Sequence, residues 1–438
     1  MNPATKPLNV REFINARALS FNQWVLVLLC FSIVAVDGMD VAIMGFVAPS
    51  ILAEWGISRP AFGVVMGAAP IGLAVGAVLA GSSSDWWGRR RVLLGSVLGF
   101  GLCTLLTPLA QDTSQMALLR FLTGLGLGAA MPNTTTLLSE YVPERRRAFL
   151  VAAMFTGFNL GSALVGFAAA ALIPQAGWRS VLVLGGALPL LLLPVLWVYL
   201  PESARFMVAR KMAPERITAV LGRVCQAPLA GVKAYISGEA EAPARQPLAV
   251  LFERGFRLRT ATLWLTYFMG LLVIYLTTSW LPTMMKDAGM SIDRAANVTA
   301  MFQLGGTAGA LLVGWLMGRM DPNRVMACAY LLGAVALVVM GFNGLMSGSI
   351  VMLVMAVGFC LSGAQTGLNG FAPGCYPTVA RATGVSWMLG VGRLGSILGS
   401  SIGGVLLSLG WGFEGIFMAL ALPAVLAGLS ILLNRRSL

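Results

Sequence analysis

Two aspartates, Asp37 and Asp40, stand in the stretch SIVAVDGMDVAIMGF (32–46), where every other residue is apolar or small. Set three apart, they fall on roughly one face of a helix and can share a site. An ionised carboxylate is costly in such surroundings, and two neighbouring negative charges oppose one another, so at least one of the two should take up a proton readily. That is the chemistry of a proton carrier; the structural alternative makes the pair partners for arginine or for helix ends. The sequence contains no histidine, the side chain that most readily titrates near neutrality. Proton handling, if it occurs, rests on carboxylates. Of the 17 acidic residues, only these two lie well inside apolar runs, with Glu140 at the inner end of another, and these three are the proton-coupling candidates.

Two arginines also fall inside apolar runs. Counting ~1.5 Å per helical residue from the outer ends, Asp40 lies about 10 Å deep and Arg120 about 8 Å, so Arg120 is the natural partner of an aspartate. The pair is either part of the coupling chemistry or a purely structural ion pair. Arg393 lies ~15 Å from the inner end of its run, near the bilayer centre. A guanidinium there needs an anion, and its planar fork suits a carboxylate, supplied by a substrate or by the first apolar run. Tyr267 could form a wall or offer its hydroxyl, and Trp280 reads first as an anchor at the membrane interface. Asn159, Gln303, Gln365 and Asn369 are amides in apolar runs that could bond ring hydroxyls or simply join helices.

The elements that must position these groups follow from composition. The chain has 438 residues, 58% hydrophobic and 11% charged, which describes an integral membrane protein embedded in a lipid bilayer. Twelve runs reach the roughly 20 residues needed to span ~30 Å of hydrocarbon: 24–47, 62–82, 92–110, 115–139, 149–172, 180–200, 260–285, 295–317, 325–346, 350–371, 383–407 and 412–433. The predicted class is an all-α membrane protein of twelve helices in two six-helix halves. Its parts are a tail over 1–23, a half over 24–200, a polar loop over 201–259, a half over 260–433 and a tail over 434–438.

Lysine and arginine fix the expected orientation, because positive charge beside a span is retained in the cytoplasm. With the N-terminus inside, only Arg59, Arg179, Lys286 and Arg294 fall on the outer side, besides Arg120 and Arg393 within spans. Both termini are then cytoplasmic. The same asymmetry accounts for the net charge of +13 without nucleic acid, since the basic blocks are short, flank spans and lack interleaved aromatics. The first apolar run has no small-residue cleavage site and reads as an uncleaved span. The six cysteines are scattered without metal-ligand spacing and imply neither disulfides nor a metal.

The polar loop divides the chain six plus six, the arrangement that lets one half rock against the other around a midplane site. A trace of repetition agrees: GSSSDWWGRRR (81–91) follows the second span and GWLMGRMDPNR (314–324) the eighth, with Gly318 where the first copy has Asp85. The pattern Gly81, Asp85, Gly88, Arg89 and Arg90 resembles the signature loop between the second and third helices of the major facilitator superfamily, although Trp86 stands where a basic residue is usual. A carboxylate and guanidinium groups around a tight turn can pair in one conformation and release in the other, which is the behaviour of a gate. Further stretches narrow the likeness: VDGMDVAIMGF (36–46), RFLTGLGLGAAMPNTTTLLSEYVPERRR (120–147), LPESARFMV (200–208), WLTYFMGLLVIYLTTSWLP (264–282) and YPTVARATGVSWMLGVGRLGSILG (376–399). Together they resemble the aromatic acid:proton symporters of that superfamily. The resemblance implies uptake of a small aromatic carboxylate, such as 4-hydroxybenzoate or protocatechuate, together with protons, across a bacterial inner membrane. It also implies work as a monomer.

No cofactor is expected: the chain offers no Walker loop, dinucleotide fingerprint or histidine-based constellation, which argues against a membrane enzyme or a nucleotide-driven pump. An exporter of drugs or aromatic metabolites, or a receptor that binds the same acids without moving them, would share the helices and the loop. The aspartate pair and Arg393 are the features that separate the exporter, while a receptor would ordinarily need an added signalling domain or a partner protein.

Overall fold

The computed structural model describes residues 7–227, 229, 232, 234–236, 251–253, 255–343, 348–376 and 378–434; side chains at 81, 82, 85, 148 and 378–382 lie outside the description. Twelve long helices dominate: α1 (Phe21–Trp55), α2 (Arg59–Trp87), α3 (Arg89–Leu106), α4 (Thr113–Tyr141), α5 (Glu144–Ala176), α6 (Trp178–Tyr199), α7 (Arg257–Asp287), α8 (Ile292–Met317), α9 (Pro322–Asn343), α10 (Ile350–Phe371), α11 (Thr378–Ser408) and α12 (Phe413–Leu433). Among the described residues, eleven helices are long and apolar enough to cross a membrane. The twelfth long helix, α4, has 29 residues and is less apolar because it carries buried Arg120, Asn133, Thr134 and Glu140.

Local chemistry sets the helix ends. Ser20 caps α1 by accepting from Gln23 N–H, and the Gln23 side chain accepts from Ser20 N–H, a reciprocal pair that starts the helix three residues before its first tryptophan. The chain leaves α1 at Gly56 and passes from α2 to α3 through Gly88, whose φ of 92° lies in the region that glycine tolerates and other residues rarely adopt. α1, α2, α4, α5, α7, α8 and α11 extend beyond the expected spans, α10 matches its span, and α3, α6, α9 and α12 stop short of theirs at one end.

Packing reproduces the sequence repeat. In the first half α1 lies on α5 and α2 on α4; in the second, α7 lies on α11 and α8 on α10. Gly72 and Gly76 sit against the carbonyls of Phe121 and Leu125, while Gly305 and Gly309 sit against those of Met355 and Phe359, at the equivalent crossing of the other half. A side chain at any of these positions would push two backbones apart.

Contacts between the halves gather at one end of the bundle. Arg59 of α2 donates to Asp287 Oδ2 of α7 at 2.6 Å, Phe62 meets Trp280 edge to face at 6.4 Å, and Gly63 packs on the Ser401 carbonyl. Trp280 is fully buried and its indole N–H donates to the Ser400 carbonyl at 2.7 Å. It seals the junction of the halves instead of anchoring at a lipid interface, as its sequence position suggested, because the carbonyl on α11 satisfies its polar edge inside the protein. At the opposite, arginine-rich end, Leu8–Asn9 pairs in parallel with Tyr235–Ile236, tying the start of the chain to the central loop. The short helix Val10–Asn15 follows and binds Glu144 through Arg11 and Asn15.

Candidate functional site

Between the halves lies a cavity of about 1000 Å³, continuous with open solvent. Its floor and walls bring together Asp37 of α1, Asn159 of α5, Tyr267 and Tyr275 of α7, Gln303 of α8, Gln365 and Asn369 of α10, and Arg393 of α11. Phe155, Phe158, Leu271 and Ile274 supply apolar surface between these polar groups. Eight helices from both halves therefore line one concave chamber in which a few polar groups stand among apolar ones, as they do in small-molecule sites.

Asp37 is 1% exposed and its Oδ1 has no hydrogen-bond partner among the described residues. Arg393 is its cationic neighbour, and Tyr275 lies beside the same guanidinium. Arg393 forms no ion pair among the described residues. The acid and the base thus face one chamber without closing on each other. Close approach of α1 to α5 helps to fix Asp37: Gly38 lies against the Phe158 carbonyl, and Ser162 Oγ donates to the Gly38 carbonyl at 2.7 Å.

Asp40 does not share this site, and the expectation of one site for both aspartates is corrected here. Three residues advance a helix by about 300°, leaving successive carboxylates ~60° apart. In α1 that offset is enough to send Asp37 toward the cavity and Asp40 toward α3 and α4. Arg120 grips Asp40 with two donors, Nη1 to Oδ1 at 3.2 Å and Nη2 to Oδ2 at 2.8 Å, and Nη2 also reaches the Asp40 carbonyl at 3.2 Å. Thr104 Oγ1 donates to Asp40 Oδ1 as well. Both charged side chains are at most 1% exposed. Arg120 borders a second, smaller cavity of about 500 Å³, which meets the first along Val41, Leu73 and Tyr275.

Glu140 lies away from both cavities, at the arginine-rich end. It pairs with Arg89, and Ser203 Oγ donates to its Oε2 at 2.5 Å. Arg89 also donates to Ser203 Oγ at 3.0 Å, Arg90 N–H donates to Glu202 Oε1 at 3.2 Å, and the Arg90 guanidinium reaches the Trp197 carbonyl. Tyr141 adds a hydrogen bond to the Glu202 carbonyl. Gly88 makes the turn that presents both arginines to this cluster, and a Cβ there would lie 2.9 Å from the Glu202 carboxyl carbon. Gly81 and Asp85 lie on the last turns of α2, and their side chains are outside the described residues. Glu140 therefore stands in the geometry of the loop cluster and not among the groups lining the cavity that holds Asp37.

Sequence reasoning did not assign Thr104, Tyr330, Glu202 or Ser203. The last two sit in the quoted stretch LPESARFMV, whose polar residues beside an otherwise apolar helix were the available signal. Thr104 and Tyr330 carry no local signal, because their partners Asp40 and Gln365 are 64 and 35 residues away in the chain.

Residues 30–296 and 263–437 match the Major Facilitator Superfamily. The chain is 54% identical to a gallate transporter of Pseudomonas putida, over 99% of this chain and 96% of the relative. It is 49% identical to the 4-hydroxybenzoate transporter PcaK of Pseudomonas aeruginosa, over 99% of this chain and 97% of that one. Among solved structures, the E. coli xylose transporter XylE in a partially occluded inward open conformation superposes with a TM-score of 0.72 at 16% identity, covering 93% of this chain and 98% of the other.

Proposed function

The chain belongs to the major facilitator superfamily, and we propose that within it this protein is a proton-coupled symporter that carries a benzoate-type anion into a bacterial cytoplasm. The observation that carries the reading is the placement of Asp37 and Arg393 on one cavity between the two halves. The identities to a gallate and a 4-hydroxybenzoate transporter support an aromatic carboxylate as the cargo.

Charge balance gives the coupling. With the cavity empty, the positive charge of Arg393 compensates an ionised Asp37, and the pair is close to neutral. When a carboxylate binds at Arg393, Asp37 loses that compensation and becomes an unpaired buried anion, a costly state. Taking a proton on Asp37 restores neutrality. The chamber is then neutral when empty and neutral when it holds one anion with one proton, but not when it holds the anion alone. Only the two neutral states cross readily between conformations, so anion and proton move together. The bonds around Asp40 hold Arg120 within the first half and leave Arg393 as the guanidinium available to the cargo.

In this reading the helices over 24–200 and 260–433 rock about the cavity, joined by the cytoplasmic loop over 201–259. Both termini are cytoplasmic, the arginine-rich end faces the cytoplasm, and one chain suffices. The contacts joining α2 with α7 and α11 then close the outer side, and the cluster of Arg89, Glu140 and Ser203 acts as the inner gate. The test is uptake of labelled 4-hydroxybenzoate and gallate into proteoliposomes. Accumulation above the external concentration is expected with an imposed inward proton gradient and not without one. Equal accumulation under both conditions would refute coupling.

A further inference from the structure

Arg89 turns into the cluster with Glu140, whereas the next residue, Arg90, sends its guanidinium to the end of α6. There it reaches the Trp197 carbonyl and lies over the Trp197 ring at 5.9 Å. Arg223, on the helix Pro214–Cys225, arrives from a different part of the chain. It donates to the Val198 carbonyl at 2.8 Å and lies over the Tyr199 ring at 6.0 Å. Two cations thus stand on the carbonyls of consecutive residues. Neither forms an ion pair among the described residues. The Glu202 carboxylate beside them accepts from the backbone N–H groups of Arg90 and Ser203.

Capping the end of α6 occupies one N–H group of each arginine. A guanidinium has further donors, and two like charges side by side repel one another, so the pair calls for an anion. The surroundings say where that anion comes from. Trp197, Val198 and Tyr199 are 65%, 54% and 55% exposed, and aromatic rings at a span end sit at the headgroup level of a bilayer. From there exposed apolar rows run along two packed helices, with Leu191 and Val195 on α6 and Leu98 and Leu102 on α3. A soluble anion would use the arginines and none of that apolar surface. A phospholipid uses both, its phosphate on the guanidinium forks and its chains along the rows. The paired cations favour a lipid with net negative charge, because a zwitterionic headgroup brings its own cation to the site. We propose that Arg90 and Arg223, at the end of α6, form a docking site for the headgroup of an anionic phospholipid in the adjoining leaflet. The assignment requires only that the chain lies in a bilayer, and it stands or falls apart from the cargo.

Native mass spectrometry of the full-length protein, titrated in detergent with phosphatidylglycerol or with phosphatidylcholine of the same acyl chains, reads the binding. Phosphatidylglycerol is expected to bind on the order of tenfold more tightly than phosphatidylcholine. Arg90→Gln and Arg223→Gln should each weaken phosphatidylglycerol about fivefold, the worth of one arginine near an anionic lipid surface, and leave phosphatidylcholine within about twofold. Arg319→Gln is the control. Arg319 also lies over an exposed tryptophan, Trp315, at 4.0 Å, but just past the end of α8 in the other half, and its loss should change neither affinity by more than about twofold. Bound lipid stabilises the folded state, so phosphatidylglycerol should raise the melting temperature of the wild type, and the rise should shrink in both arginine variants. Each rise is read against the same sample without lipid, whatever the basal stability of a variant. Inorganic phosphate at the same concentration should give no rise. Equal binding of the two lipids, an unchanged phosphatidylglycerol affinity in both variants, an equal loss in Arg319→Gln, or a matching rise with phosphate alone would each overturn the lipid site.

Discussion

Asp37 and Asp40 are three residues apart on one helix, yet Asp37 opens onto the cavity between the halves and Asp40 is closed into the first half by Arg120 and Thr104. One carboxylate faces the cavity; the other joins α1 to α3 and α4. Identical chemistry on adjacent turns thus has different work, and substitutions should separate the two.

For Asp40, replacement by Asn keeps the shape and removes the charge, leaving Arg120 as a buried cation without its counter-ion. Stranding one member of a buried pair costs about 3–5 kcal/mol. Asp40→Asn should therefore lower thermal stability in detergent strongly, whereas the double variant Asp40→Asn with Arg120→Gln should recover a large part of the loss. A double variant no more stable than Asp40→Asn would deny the pair its structural role.

For Asp37, no hydrogen bond holds Oδ1 among the described residues and its neighbour Arg393 borders a cavity instead of a closed pair, so Asp37→Asn should cost much less stability than Asp40→Asn. It should nonetheless lose accumulation driven by a proton gradient, because the chamber can no longer alternate between ionised and protonated states. Counterflow exchange, in which loaded carriers return loaded and no net proton moves, should persist. Gradient-driven accumulation at the wild-type level in Asp37→Asn would remove this carboxylate from the coupling.

The twelve-helix frame was legible because apolar length alone dictates it, and only α4 blurred the signal, since its polar residues turn inward where composition cannot see them. The pairing of Arg120 with Asp40 was legible from matched depths within one half. Their separation from Asp37 was not, because a 60° offset acquires meaning only once the neighbours on each side are known. Trp280 was misplaced for a related reason: an indole near a span end is stable at a lipid interface or on a buried carbonyl, and only the position of Ser400 decides between them. The partners of the loop arginines were hidden in the same way. Glu202 and Ser203 come near Arg89 and Arg90 only when α6 brings the chain back to the end of α2.

Glu140 offers a test of that cluster. Its carboxylate receives Arg89 and Ser203 at the arginine-rich end, far from the groups that line the cavity. Glu140→Gln should slow turnover several-fold while leaving the equilibrium affinity for 4-hydroxybenzoate within about twofold, because the substitution biases exchange between conformations without differential contact to the cargo. Binding by calorimetry and transport rate in liposomes, measured on the same preparation, separate the two effects. Lost affinity with an unchanged rate for bound cargo would return Glu140 to the coupling site.

Arg393 offers the remaining test. Its guanidinium stands on the cavity beside Asp37 and Tyr275 without an ion-pair partner among the described residues, so a cargo carboxylate can take both prongs of the fork. Arg393→Lys keeps the charge and loses the planar geometry, and should weaken anion binding clearly; Arg393→Ala should weaken it more. Part of the alanine effect comes from leaving Asp37 without its cationic neighbour, and an uncharged ligand separates that part. The wild type should prefer a benzoate over the matching benzamide by about 1.5–3 kcal/mol, the worth of a hydrogen bond to a charged group. In Arg393→Ala most of that preference should vanish, because the amide never used the charge. A preference that survives intact in Arg393→Ala would move the carboxylate to Arg120 and, with it, the boundary between the part of the site that binds and the part that only holds the helices in place.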